Sequence, residues 1–164
     1  LGGSPYVLIE TPFQMLPVGW EQLFFAIAAK GYRIVLAHPE RCAQIIDNPG
    51  MVDRLLAAGA YFQANYDSFL GVNGEMVLKT GMALLDRGCI DYLASDSHNA
   101  EHRHPGSAAK AIKLLGKKID SDTVERLTRG NPERVLGGLP LHRPERAAAS
   151  AKSGKRWWFF SRRH

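Results

Sequence analysis

Cysteine is scarce in this chain of 164 residues: there are two, Cys42 and Cys89, each isolated in or beside an apolar segment. That scarcity argues against a disulfide scaffold and fits reduced thiols in a cytoplasmic protein. Long hydrophobic runs are lacking too. The apolar stretches fall far short of the ~20 residues that a membrane-spanning helix requires, and no segment reads as a signal peptide. Most of the chain also lacks an excess of charge of one sign. Its 21 Lys/Arg and 16 Asp/Glu give a formal net charge of +5, but seven of the basic residues and one acidic residue fall in 141–164. The first 140 residues then hold 14 basic and 15 acidic side chains, so a nucleic-acid footprint on them is not expected.

Apolar residues make up 45% of the chain, enough for one globular domain with a core. Short apolar runs alternate with helical patterns. Tyr6–Glu10 reads as a strand, followed by a helix near Trp20–Lys30 that Gly31 closes. Residues 33–38 form the next strand. Asn48-Pro49 opens a helix as cap and first position, and Gly59 stops it. Tyr61–Asn65 is a third strand, with a helix near Glu75–Arg87 ending at Gly88. Residues 90–95 make a fourth, followed by a helix over Ser107–Leu115 that ends at Gly116. Asp122 with Glu125 predicts a capping box, and Asn131-Pro132 a last short helix. Strand and helix in alternation over residues 6–116 predict an α/β fold with a parallel sheet. It is either a small open sheet or about half of a closed barrel, which needs about twice as many strands. The chain enters a strand almost directly after Leu1, and we expect an upstream part to be missing; this favours half a barrel.

Three of the four strands end on ligand-type residues: Glu10, His38, and Asp96 with His98. Parallel α/β folds place their chemistry at the carboxyl ends of strands. Imidazole and carboxylate donors without thiolate suit Mn, Fe, Zn or Mg, and the pattern does not choose among them. A divalent ion there would supply hydroxide and neutralise phosphate oxygens. Arg41 and Arg103, shortly after His38 and His98, are candidates to clamp a phosphate through their guanidinium forks. Asn65, Ser68, His102 and His104 lie near the same strand ends, and Glu40 is expected to pair with Arg41 or to cap the following helix.

From Leu141 the periodicity is lost. Residues 141–164 read as a flexible tail, with Trp157-Trp158-Phe159-Phe160 between Lys155-Arg156 and Arg162-Arg163. Aromatics flanked by cations suit weak contact with an anionic membrane surface.

His38-Pro-Glu-Arg41 and Ser95-Asp-Ser-His-Asn99, preceded by Leu8-Ile-Glu10, resemble the PHP-domain family. Within it they are most similar to the bacterial manganese-dependent protein tyrosine phosphatases of capsule and exopolysaccharide clusters. Gly31-Tyr32, Asn48-Pro49, Ser68-Phe-Leu-Gly71 and Asn131-Pro132 extend the likeness over residues 5–138. The resemblance implies a distorted (β/α)7 barrel of which residues 1–140 are the carboxyl-terminal portion. It implies a cluster of metal ions, Mn foremost and otherwise Fe or Zn, and hydrolysis of phosphotyrosine on a protein. It makes Glu10, His38, Asp96 and His98 metal ligands and sets Arg41 and Arg103 beside the phosphate. The implied substrate is a membrane-associated tyrosine autokinase that controls polysaccharide synthesis. The family's opening His-x-His motif and further ligands belong before the position of Leu1, and none is present in this chain. Two other readings stand beside this one: a phosphoesterase acting on a small metabolite such as histidinol phosphate, and an inactive fragment serving as an interaction module. Neither the oligomeric state nor the metal is legible.

Overall fold

The computed structural model describes residues 1–98 and 106–144. Among these, four strands form one parallel sheet in sequential order: β1 (Tyr6–Glu10), β2 (Arg33–Ala37), β3 (Tyr61–Asn65) and β4 (Tyr92–Ala94). The α/β reading with parallel strands therefore holds. Strands β2 and β3 are buried from their second residue onward; in β2 this appears in the sequence as an unbroken apolar run, whereas in β3 the buried Gln63 interrupts it. At the sheet edge, β1 leaves Leu8 and Glu10 exposed.

The connections are helical. After β1 comes α1 (Trp20–Ala29). A 3-10 turn at Pro39–Arg41 follows β2 and leads into α2 (Ala43–Asp47) and α3 (Gly50–Ala57). After β3 come α4 (Tyr66–Phe69) and α5 (Glu75–Asp86). Beyond β4 lie α6 (Ser107–Leu115), α7 (Ser121–Glu125), a π-helical turn at Arg126–Gly130 and α8 (Asn131–Leu136). None of the helices in the described residues is long and apolar enough to cross a membrane.

Local signals explain most of these boundaries. Asn48 Oδ1 accepts from the Gly50 N–H at 3.2 Å, the capping role expected of it. Gly31, Gly59 and Gly88 take left-handed conformations just past their helices, whereas Gly116 remains right-handed and its helix runs on into a further turn. The expected capping box is displaced. Asp120, not Asp122, caps α7, accepting from Thr123 N and Oγ1 at 2.8 Å each, while Glu125 pairs with Arg129.

Side chains alternate across the sheet. One face packs Leu36, Phe62 and Leu93 against the helices, with Ile45, Leu55, Leu84, Leu115 and Leu127 in the same core. The other face carries a smaller cluster of Tyr6, Val35 and Tyr92, covered by Val135 and Leu141. In this alternation Glu10 and Asn65 share the second face with Tyr6 and Tyr61. Residues 141–144 remain against the body. Arg143 grips Asp91 through Nε and Nη2 at 2.6 and 2.7 Å, donates to the Ala60 carbonyl, and lies 3.9 Å from the Tyr61 ring centre. These contacts sit at the amino-terminal ends of β3 and β4.

Candidate metal centre

Parallel register brings the ligand-type residues to one rim. Glu10 pairs with Ala37, Ala37 with Gln63, and Asn65 with Ala94, so the ends of the four strands lie side by side. Strict alternation would send His38 to the face opposite Glu10. Instead its backbone is left-handed, with φ of 34°, and its ring returns to the rim, with Nε2 3.3 Å from Glu10 Oε1. The same nitrogen lies 3.9 Å from Asp96 Oδ2. Asp96 also has positive φ, 51°, and the two are the only non-glycine residues among those described with that backbone. Such conformations cost about 1–3 kcal/mol each and persist where the surroundings enforce them, most often at functional sites.

His98 is brought in by a local contact. Its Nδ1 lies 2.7 Å from the Asp96 carbonyl, on a side chain 57% exposed. Burial pushes the His38 imidazole below its ordinary pKa, and the Arg41 cation adds to the shift against the pull of Asp96 and Glu10. The ring is thus neutral at pH 7, with a lone pair to offer. Arg41 Nη1 reaches Asp96 Oδ2 at 3.3 Å. Glu10, His38, Arg41, Asp96 and His98 therefore lie together. Arg103, His102, His104 and the tail from residue 145 fall outside the described residues.

A buried polar network, which the sequence barely signalled, stands behind these groups. Asn65 Nδ2 donates to Asp96 Oδ2 at 2.8 Å, and Gln63 Nε2 donates to Asn65 Oδ1 at 2.8 Å. Glu40 neither pairs with Arg41 nor caps a helix. It is fully buried, and its Oε1 accepts from Asn65 N at 3.0 Å and Ser68 Oγ at 2.7 Å. Burial pushes its carboxyl up to about 7, against the lowering effect of those two donors. The available signal was position: a polar residue ends β3, another interrupts its apolar run, and a glutamate sits two residues past a strand-end histidine.

Residues 1–137 match the family described as capsular polysaccharide synthesis, CpsB/CapC. The chain belongs to that family. It is 34% identical over 143 residues to the tyrosine-protein phosphatase YwqE of Bacillus subtilis (strain 168), covering 87% of this chain and 56% of that protein. Over 145 residues it is 27% identical to the tyrosine-protein phosphatase CpsB of Streptococcus pneumoniae, covering 83% of this chain and 58% of the relative. A solved structure matches with a TM-score of 0.81 and 32% identity, over 90% of this chain and 59% of the other. It comes from work on YwqE and CpsB that describes them as unique metal-dependent tyrosine phosphatases. The chain spans somewhat more than half the length of these CpsB/CapC relatives.

The donor chemistry fits a divalent ion. His38 Nε2 faces two carboxylates, at 3.3 and 3.9 Å, and the Nδ1 of the same ring is a buried polar atom with no hydrogen-bond partner. The number of donors is smaller than a closed site needs. Among the described residues no group of three or more His, Cys, Asp or Glu is arranged to hold an ion as it stands. These residues would supply at most part of a ligand set.

Proposed function

We propose that the protein hydrolyses phosphotyrosine on proteins with the help of divalent metal, Mn foremost, and that its substrate is a tyrosine autokinase of capsule or exopolysaccharide synthesis. The convergence of Glu10, His38 and Asp96 beside the Arg41 guanidinium carries this reading. Glu10, His38, Asp96 and His98 would hold metal. Metal held there would lower the pKa of water and supply hydroxide at neutral pH. Arg41 and Arg103 bind the phosphate oxygens, and a planar guanidinium suits that task because it donates two parallel hydrogen bonds. Gln63 and Asn65 fix the Asp96 carboxylate. The backbone strain at His38 and Asp96 is the cost of holding both side chains at the rim.

Similarity to curated tyrosine-protein phosphatases supports a protein substrate over a small metabolite. Membership in a capsular polysaccharide synthesis family supports the kinase partner. The buried Cys42 and Cys89 agree with the cytoplasm as the site of action. The sheet is read as part of a distorted (β/α)7 PHP-type barrel, a reading that its parallel strand order and its likeness to the solved metal-dependent phosphatase support.

Chelation is the direct test. Treatment with EDTA should abolish release of phosphate from a phosphotyrosine peptide, and added Mn should restore it. His38→Ala should lower metal occupancy and rate together. Arg41→Ala should chiefly weaken inhibition by inorganic phosphate, with most of the metal retained. Turnover indifferent to chelation would end the reading.

A further inference from the structure

Phe13 is one of several large apolar residues that core packing does not account for. Its ring is 52% exposed, yet its backbone is tied down. The Phe13 carbonyl accepts from Ala43 N at 2.7 Å, and the Gln14 carbonyl accepts from Gln44 N at 3.0 Å. Gln44 Oε1 accepts from Leu16 N at 2.9 Å, and Leu16 is itself buried in the core. The loop between β1 and α1 is therefore pinned to the start of α2, and it presents one aromatic ring at the rim. That ring lies nearly parallel to the His38 imidazole, with centres 6.2 Å apart and planes 16° apart. The Arg41 guanidinium carbon is 4.9 Å from the Phe13 ring centre. One half-exposed ring thus touches both a candidate metal ligand and a candidate phosphate clamp.

We propose that Phe13 is a specificity-determining residue that stacks against the aryl ring of the substrate while Arg41 holds its phosphate. This rests on the phosphatase reading and goes further, because it gives selection for an aryl phosphate over an alkyl one a structural cause. Aromatic pairs favour offset or edge-to-face arrangements with centres about 4.5–7 Å apart, and they select for a ring beyond simple burial. An exposed, rigidly based Phe offers that contact at little cost in conformational entropy. Scattered single apolar residues are ordinary on protein surfaces. Phe13 differs from them in its position, between the chemistry and the solvent from which a tyrosyl side chain must arrive.

The test compares two ligands that share a phosphoryl group and differ by a ring. With the Mn-loaded protein, binding of phenylphosphonate and of inorganic phosphate is measured by calorimetry for the wild type, Phe13→Ala, Phe13→Leu and Phe13→Trp. Expected is a loss of phenylphosphonate affinity of roughly fivefold or more in the Ala and Leu variants, with recovery in Trp and little change in phosphate affinity. Thermal melts confirm that each variant is folded. Parallel losses for both ligands would mean that Phe13 acts only by placing His38 and Arg41, and unchanged phenylphosphonate binding would mean that it does not meet the ring; either overturns the inference alone. A wild type that binds neither ligand overturns the phosphatase reading, and this inference with it.

Discussion

At the scale of single residues, the rim is built by side chains that hold other side chains. Asp96 has to keep a carboxylate oriented on a strained backbone, and Asn65 supplies the donor that fixes Oδ2. Groups that orient a metal ligand typically contribute ten- to hundredfold to metal affinity. Asn65→Ala should accordingly weaken Mn binding about tenfold or more by calorimetry, and an unchanged affinity would remove Asn65 from this role. Glu40 serves the fold instead. Its Oε1 is the shared acceptor for Asn65 N and Ser68 Oγ in a fully buried site. Glu40→Ala leaves both donors unsatisfied and should cost about 2–3 kcal/mol in urea unfolding, whereas Glu40→Gln, which keeps a carbonyl oxygen there, should cost about 1 kcal/mol or less.

At the scale of elements, legibility in the sequence follows from where each element gets its stability. Strand β2 is covered on both faces, so burial itself imposes an apolar run that ends where His38 begins, whereas β3 is equally buried but carries Gln63 and Asn65 within it. The helices α1, α5 and α6 are long enough to show a periodic stripe and a glycine stop. Short α2 and α4, of five and four residues, carry no such stripe; tertiary contacts hold them, and periodicity cannot reveal them. At the site, Glu10, His38, Asp96 and His98 were legible as strand ends. Gln63 and Phe13 were not, because a buried amide and an exposed ring take their meaning from neighbours distant in sequence. Arg143 is the plainest case. In sequence it begins a tail of low complexity, yet in the fold its fork satisfies Asp91, which is 2% exposed and also accepts from Phe62 N at 2.8 Å. Removing one partner of a buried pair leaves an uncompensated charge. Arg143→Ala should cost roughly 3 kcal/mol in urea unfolding. Arg143→Lys should recover only part of that, since an ammonium cannot donate two parallel bonds while also covering Tyr61. Combining Arg143→Ala with Asp91→Asn should cost less than the two changes summed, and strict additivity would show that the pair is not coupled.

At the scale of the whole molecule, the question is where the folded body ends. Composition alone sets the boundary at Leu141, where the apolar periodicity stops. The described structure carries packing past that point: Leu141 joins the cluster of Tyr6, Val35 and Tyr92, the His142 N–H donates to Asn131 Oδ1 at 2.9 Å, and Arg143 closes on Asp91. Tyr6 in β1 donates to the Leu139 carbonyl at 2.8 Å, so this segment ties the first strand to the last helix. Two truncations separate the alternatives. A chain ending at Pro144 should melt within about 2 °C of the full chain, whereas one ending at Pro140 should melt roughly 10 °C lower, because it loses a buried ion pair and the Asn131 contact together. Equal melting of the two would place the boundary at Leu141. The Pro144 truncation also isolates the basic, aromatic residues that follow. If they contact an anionic membrane surface, cosedimentation with phosphatidylglycerol vesicles at low salt should be lost on this truncation and should fall steeply as salt rises in the full chain. Retention on the vesicles after truncation would move the contact onto the nearly neutral body, where the charge balance gives no reason to expect it.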